Sequence, residues 1–168
     1  MENNINIYTQ TGIEVADALS LIASGNDYTP TFFEMNIERL VRTSRLTGGS
    51  DMVKKYELNL DIAEEGLIGK SLVTIGSINT EYGEMKIVYA SMKEFNSGYK
   101  LVVMYPYEHI EKSNTIKIHR LKLVEADNIP ADEKPAIMDK FFDGALCSDN
   151  SVIFKDNETG ISVNPIPL

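Results

Sequence analysis

Four apolar runs follow one another through the middle of the chain with only short turns between them: "SLVTIGSI" (71–78), "EMKIVYASM" (84–92), "YKLVVMYPY" (99–107) and "NTIKIHRLKLV" (114–124). Their length, their β-branched and aromatic content and their period near 2 read as strands. The connections "NTEYG" and "EFNSG" are far too short for a crossover helix, so neighbouring strands run antiparallel. Upstream, "KYELNLDI" alternates cleanly. Tyr56, Leu58, Leu60 and Ile62 fall on one side, and Lys55, Glu57, Asn59 and Asp61 on the other. This predicts a further strand with one wet face. Residues 53–125 are thus expected to form an antiparallel meander of about five strands.

The last of these runs carries a phase error. Ile116 and Ile118 share a face, but Leu121 and Leu123 have the opposite parity, so one residue too many sits at His119–Arg120. A β-bulge restores register there, and bulges are enriched at sheet edges and beside sites. A strand buried on both faces accounts for the pattern equally well.

The flanking segments change period. "INIY" (5–8) reads as a short strand. "TGIEVADALSLIAS" has Thr11 and Glu14 at capping-box spacing and an apolar face of Ile13, Val15, Ala16, Leu19 and Ile22. "TFFEMNIERLVRTSRL" repeats the signal with Thr31 and Glu34, and puts Phe33, Ile37, Leu40, Val41 and Ser44 on one helical face. Residues 1–50 are therefore expected to be helical, two helices covering one face of the sheet. In residues 126–168, "NIPADEKPAIMDKFFDGAL" predicts a third helix that ends at Gly144, "SVIFKDNETGISV" a hairpin, and "NPIPL" an extended tail. The expected architecture is one α+β domain over 1–168.

Composition fits this. The chain has 168 residues, 43% hydrophobic and 24% charged, as globular domains do. A single cysteine, Cys147, excludes an internal disulfide framework or a multi-thiolate metal site. The start "MENNINIYTQTG" lacks the basic and apolar regions of a signal peptide, and no apolar run spans a bilayer. The expectation is a protein that is not secreted and not in a membrane, cytoplasmic or, if viral, in a virion. The net charge of −9 works against direct binding to nucleic acid, and more than half of it falls in residues 126–168.

Motifs for chemistry fail one by one. "AEEGLIGKS" (63–71) ends like a phosphate-binding loop, with Gly69, Lys70 and Ser71. The first glycine should be residue 64, which is Glu64, beside Glu65, and two carboxylates at the mouth repel phosphate. A strand-like run follows where a helix is needed. His109 and His119, with Tyr105, Tyr107 and Glu108 nearby, offer a cleft for a small enzyme or a ligand-binding domain, but no second motif supports it. Cys147 stands near acids, which raise a thiol pKa. Asp156, Asn157 and Glu158 lack EF-hand spacing. No catalytic, cofactor or metal residue is assigned.

The arginines are the unusual feature. Three of four, Arg39, Arg42 and Arg45, lie three apart, along one side of the expected second helix. With His119 and Arg120 at the phase error, they are the candidate interaction residues. The expectation is a non-enzymatic protein acting through protein–protein contacts, as a homo- or hetero-oligomer within a larger assembly, with a virus- or phage-type structural or accessory subunit as the specific case. The arginine stripe would meet the acidic last third of another copy. The alternative is an acidic inhibitor occupying a basic nucleic-acid-binding groove on a partner enzyme.

Overall fold

In a computed structural model the described residues are 6–110, 115–151, 153, 154, 163 and 165. The elements run α1 (Ile7–Ala23), β1 (Thr31–Asn36), β2 (Val41–Arg45), α2 (Ser50–Asn59), β3 (Leu67–Thr80), β4 (Gly83–Glu94), β5 (Lys100–Ile110), β6 (Thr115–Ile118), β7 (Lys122–Asp127) and α3 (Lys134–Cys147). The α+β class and the antiparallel sheet stand as expected, but the sheet has seven strands rather than five. Its order is β2-β1-β3-β4-β5-β6, with β7 also on β5. No described helix is long and apolar enough to cross a membrane.

The central strands pair as their alternation requires. β3 and β4 stay in register from Gly69 opposite Glu94 to Thr80 opposite Gly83, and β4 and β5 from Lys86 opposite Tyr107 to Lys93 opposite Lys100. The run 114–124 divides at the phase error into β6 and β7, which share the outer edge of β5. Tyr107 faces Ile118 but Met104 faces Lys122, so the outer strand holds one extra residue between them. A second irregularity, at Val102/Val103, passes over Val124.

Two expected elements exchange type. The segment expected as the second helix is the β1–β2 hairpin, Thr31 opposite Arg45 and Met35 opposite Val41. The Asn36 side chain accepts the N–H groups of Glu38 and Leu40, both at 2.9 Å, and closes the turn. β1 then adds to β3, from Thr31 opposite Val73 to Asn36 opposite Leu67. Thr, Phe and Val suit a pleated strand at these positions, and this tertiary pairing overrides the helical spacing. Conversely, "KYELNLDI" is no strand. It starts inside α2, and Met52, Val53, Tyr56 and Leu60 turn to Phe32, Leu46 and Leu72 on the sheet. Period 2 and period 3.6 coincide over so few residues.

The helices do not share one face. α1 and α3 pack on each other over the main core of Phe33, Val73, Val88, Val103 and Tyr107, and α2 covers the smaller Phe32–Leu72 cluster on the opposite face. Of the strand expected at 5–8, Ile7 and Tyr8 instead open α1, with Asn6 as its cap accepting the Thr9 N–H at 2.9 Å. Thr11 and Glu14 therefore cap nothing. Thr11 bonds back to the Ile7 carbonyl at 2.6 Å. Ile153 and Phe154 lie in a helical turn, not in the expected hairpin, whose loop at 156–158 lies outside the described residues. Pro165 pairs with Thr80 in an isolated bridge.

Gly144 was expected to stop the third helix, yet α3 runs through it to Cys147. A Cβ on Gly144 would sit 1.9 Å from the Thr9 carbonyl oxygen, and one on Gly12 would sit 2.1 Å from that of Phe141. The glycines let two helix backbones touch, and Thr9 Oγ1 adds a bond to the Lys140 carbonyl at 3.1 Å. Gly144→Ala should therefore cost about 3 kcal/mol or more, as overpacking against rigid backbone. Gly76→Ala meets only the Ile87 side chain at 3.8 Å and should change stability by less than about 0.5 kcal/mol. Urea midpoints check both, and equal midpoints for the two variants would refute the contact.

Candidate functional site

The three neighbouring arginines are dispersed by the strand that replaces their helix. Residues three apart on a strand alternate faces, so Arg42 and Arg45 of β2 do not share one. Arg45 turns toward α1. Its Nη1 lies 2.5 Å from Glu14 Oε1 and 2.5 Å from Thr31 Oγ1. The Glu14 side chain is only 7% exposed, and the Tyr28 hydroxyl donates to the same oxygen at 2.8 Å. A buried carboxylate is acceptable here because two donors meet it. Burial first, and then the Glu14 charge, push the Tyr28 hydroxyl well above its usual pKa.

Beside this network lies a polar cavity of about 390 Å³, with Asp17, Asp27, Thr47 and Asn150 in its wall. Ser148 and Asn150 donate to Asp17 at 2.7 and 2.9 Å, tying the end of α3 to α1. Among the described residues no group of three or more His, Cys, Asp or Glu side chains could hold a metal ion.

Arg39 and Arg42 lie at the free end and on the outer strand of the sheet. Arg39 has φ +65°, in the left-handed region that a long side chain rarely adopts. It sits between Ile37 and Leu40, which are 72% and 62% exposed. The Ile37 N–H bonds to the Gly66 carbonyl at 3.1 Å and so ties the hairpin tip to the loop after α2. That loop carries Ile62, and the last turn of α2 carries Leu58, both more than half exposed. Ile37 and Leu40 thus flank Arg39 at the hairpin tip, and the segment bonded to that tip carries two further exposed apolar side chains.

His119 and Arg120 sit at the opposite edge, five strand positions away, so the five candidate residues form no single patch. His119 is buried, with Nε2 2.8 Å from Glu108 Oε2. His109 stacks edge-on against Tyr107, 5.8 Å between ring centroids. Tyr107 and Ile118 face each other toward the main core, and His119 follows Ile118 with the opposite parity. The imidazoles therefore stand on opposite faces of the sheet and do not converge on one reacting centre. Cys147 is exposed at the end of α3.

"AEEGLIGKS" holds no phosphate cradle, and its lysine is no surface charge either. Lys70 is fully buried, with Nζ 2.9 Å from Glu64, 2.7 Å from Asn59 Oδ1 and 3.1 Å from the Asn59 carbonyl. The glutamate standing where a phosphate loop needs glycine is its ion-pair partner.

Compared with protein-family models, with curated proteins and with solved structures, the chain matches none. Reading the sequence missed the exposed apolar group because Ile37 and Leu40 were assigned to a buried helix face. It missed Glu14 because capping-box spacing explained that residue too easily. Asn36, a turn former between two β-branched and aromatic runs, was the available signal for the hairpin.

Tyr28 gives this network a pH signature. In the unfolded chain the phenol ionises near pH 10.0, and in the folded chain at higher pH. Its contribution to stability is therefore complete below pH 10 and is lost as pH rises further. Tyr28→Phe should cost about 1–2 kcal/mol at pH 7 through the lost bond to a charged partner. It should also flatten the fall in urea midpoint above pH 10, without abolishing it, since burial raises Tyr8 in the same sense. An unchanged midpoint at pH 7 together with an unchanged slope would refute the Glu14–Tyr28 bond.

Proposed function

We propose that this chain is a non-enzymatic interaction protein, a subunit of a larger assembly, that docks on an acidic protein segment through the tip and outer edge of the β1–β2 hairpin. One observation carries the reading. Ile37 and Leu40 stand in water on either side of Arg39, with Arg42 shortly after them in β2, and Leu58 and Ile62 stand in water on the segment bonded to the hairpin tip, in a chain whose net charge is −9. Exposed apolar side chains gathered at one place mark an interface far more often than scattered ones do. Arginine is among the residues enriched in interface hot spots. β2 is also the terminal strand of the sheet, and an extended partner segment can add to such an edge through its backbone.

The conformation of Arg39 adds support. A non-glycine residue at φ +65° costs on the order of 1 kcal/mol, and such strain persists where function holds the side chain. A virus- or phage-type assembly is the setting that accords with a small subunit of this kind.

A second reading, the acidic inhibitor, draws on a different face. Glu125 has its carboxyl raised first by the hydrogen bond that its protonated form donates to neighbouring Asp127 and then by partial burial, with the Asp61 charge adding repulsion. Crowded carboxylates of this kind are relieved by a basic partner.

The test is a pull-down from the native source at several salt concentrations, run with paired variants. Arg39→Gly relaxes the turn and should hold or raise the unfolding midpoint. Combined with Leu40→Ser, it should lose the partner that wild type retains, with a loss of about tenfold or more in affinity. A partner kept by that double variant but lost by Glu125→Gln/Asp127→Asn selects the inhibitor reading. If no partner is recovered and the chain sediments as a monomer, both fall.

A further inference from the structure

We propose that a cavity beneath the C-terminal half of α3 binds a small amphiphilic monoanion, with its apolar body inside and its carboxylate on Arg120. The cavity encloses about 330 Å³, within the range of small-molecule sites. Tyr105 of β5, Leu121, and Phe142, Ala145 and Leu146 of α3 line it together with Phe154. Arg120 is the one charged residue among its described lining. Leu146 is 65% exposed, so one wall of the cavity stands in water.

The placement of Arg120 follows from the backbone. The residue by which β6–β7 outruns β5 falls between Ile118 and Lys122, and a bulge re-aims the side chains it carries. Arg120 is exposed and, among the described residues, makes no ion pair, whereas Arg45 does. A guanidinium at the rim of an apolar cavity selects a carboxylate, which it can hold bidentately. The remaining described lining residues carry no charge, so among them a second ionic group on the ligand would find no partner. Hence the ligand has one anionic end and an apolar body. Its size excludes a folded partner, and the site lies across the sheet from the hairpin tip, so it stands independently of the proposed interaction.

Titration calorimetry on the full chain, with decanoate below its micelle concentration, tests the site. The expected result is saturable binding of one decanoate per chain. Decan-1-ol should bind about fivefold to tenfold more weakly, and decyltrimethylammonium should not bind detectably. Arg120→Gln should weaken decanoate by about the same fivefold to tenfold, and Arg120→Glu by more. Both sit on an exposed side chain and should leave the unfolding midpoint unchanged. In parallel NMR spectra, Leu121, Ala145 and Leu146 methyl signals should shift on binding, while those of Leu46 and Val53 beneath α2 should not. Equal affinity for decanoate and decan-1-ol, indifference to Arg120→Glu, shifts confined to the α2 side, or no saturable binding would each overturn the assignment.

Discussion

A fully buried ammonium group holds three parts of this molecule to one geometry. Lys70 lies on β3, opposite Glu34 of the hairpin and opposite Lys93 of β4. Its three N–H donors meet the Asn59 carbonyl, the Asn59 side chain and Glu64, and the Phe95 ring centroid lies 5.8 Å away. An uncompensated charge at this depth would cost several kcal/mol. The end of α2, the loop after it and the strand ladder must therefore be in place together. Because Asn59 is the last residue of α2, the lysine also answers the open carbonyl end of that helix, where a cation is favoured. The hairpin tip depends on the same arrangement, since its bond to Gly66 is made to the loop that Lys70 anchors.

The opposite face is organised by absence of side chains rather than by charge. Gly12 and Gly144 bring α1 and α3 to backbone contact, which lets Ala16, Ala18 and Ala145 bury fully and seats Phe141 in the core. α1 buries residues around most of its circumference, because sheet and α3 enclose it from two sides. The sheet is thus closed on both faces over its centre. Its two edges differ. The β5 edge is occupied by two short, bulged strands, a common way of blunting an edge, while β2 ends the other side.

How much of this was readable in the sequence depends on whether local pattern and tertiary demand agree. They agree in β3, β4 and β5, where long alternating runs leave one register, and in α3, where an apolar stripe runs on past Pro135. They agree at His119–Arg120, where the counted phase error is the extra residue found between Ile118 and Lys122. They disagree over 31–46 and 53–62. There the local pattern satisfies both periods, and the choice is made by tertiary contacts: Phe33 and Met35 with Val73 in one core, Leu60 with Leu72 in the other. The candidate sites suffer from the same limit. Arg45 and Glu14 are 31 residues apart, and nothing local announces that one will neutralise the other.

The four arginines show why counting charge does not locate function. All carry the same group in the same acidic chain, and each is governed by its surroundings. Arg45 compensates a buried carboxylate and is a structural residue. Arg39 holds an unfavourable backbone conformation among exposed apolar side chains, and Arg42 lies beside it on the terminal strand. Arg120 stands at an apolar cavity with no internal partner among the described residues. A guanidinium is costly to desolvate unless something meets it, and Glu14 meets that of Arg45. The stripe read from sequence thus loses Arg45 to Glu14, keeps Arg39 and Arg42 at the exposed hairpin, and yields a second, separate position at Arg120, where the sheet edge itself turns the side chain toward a space of small-molecule size.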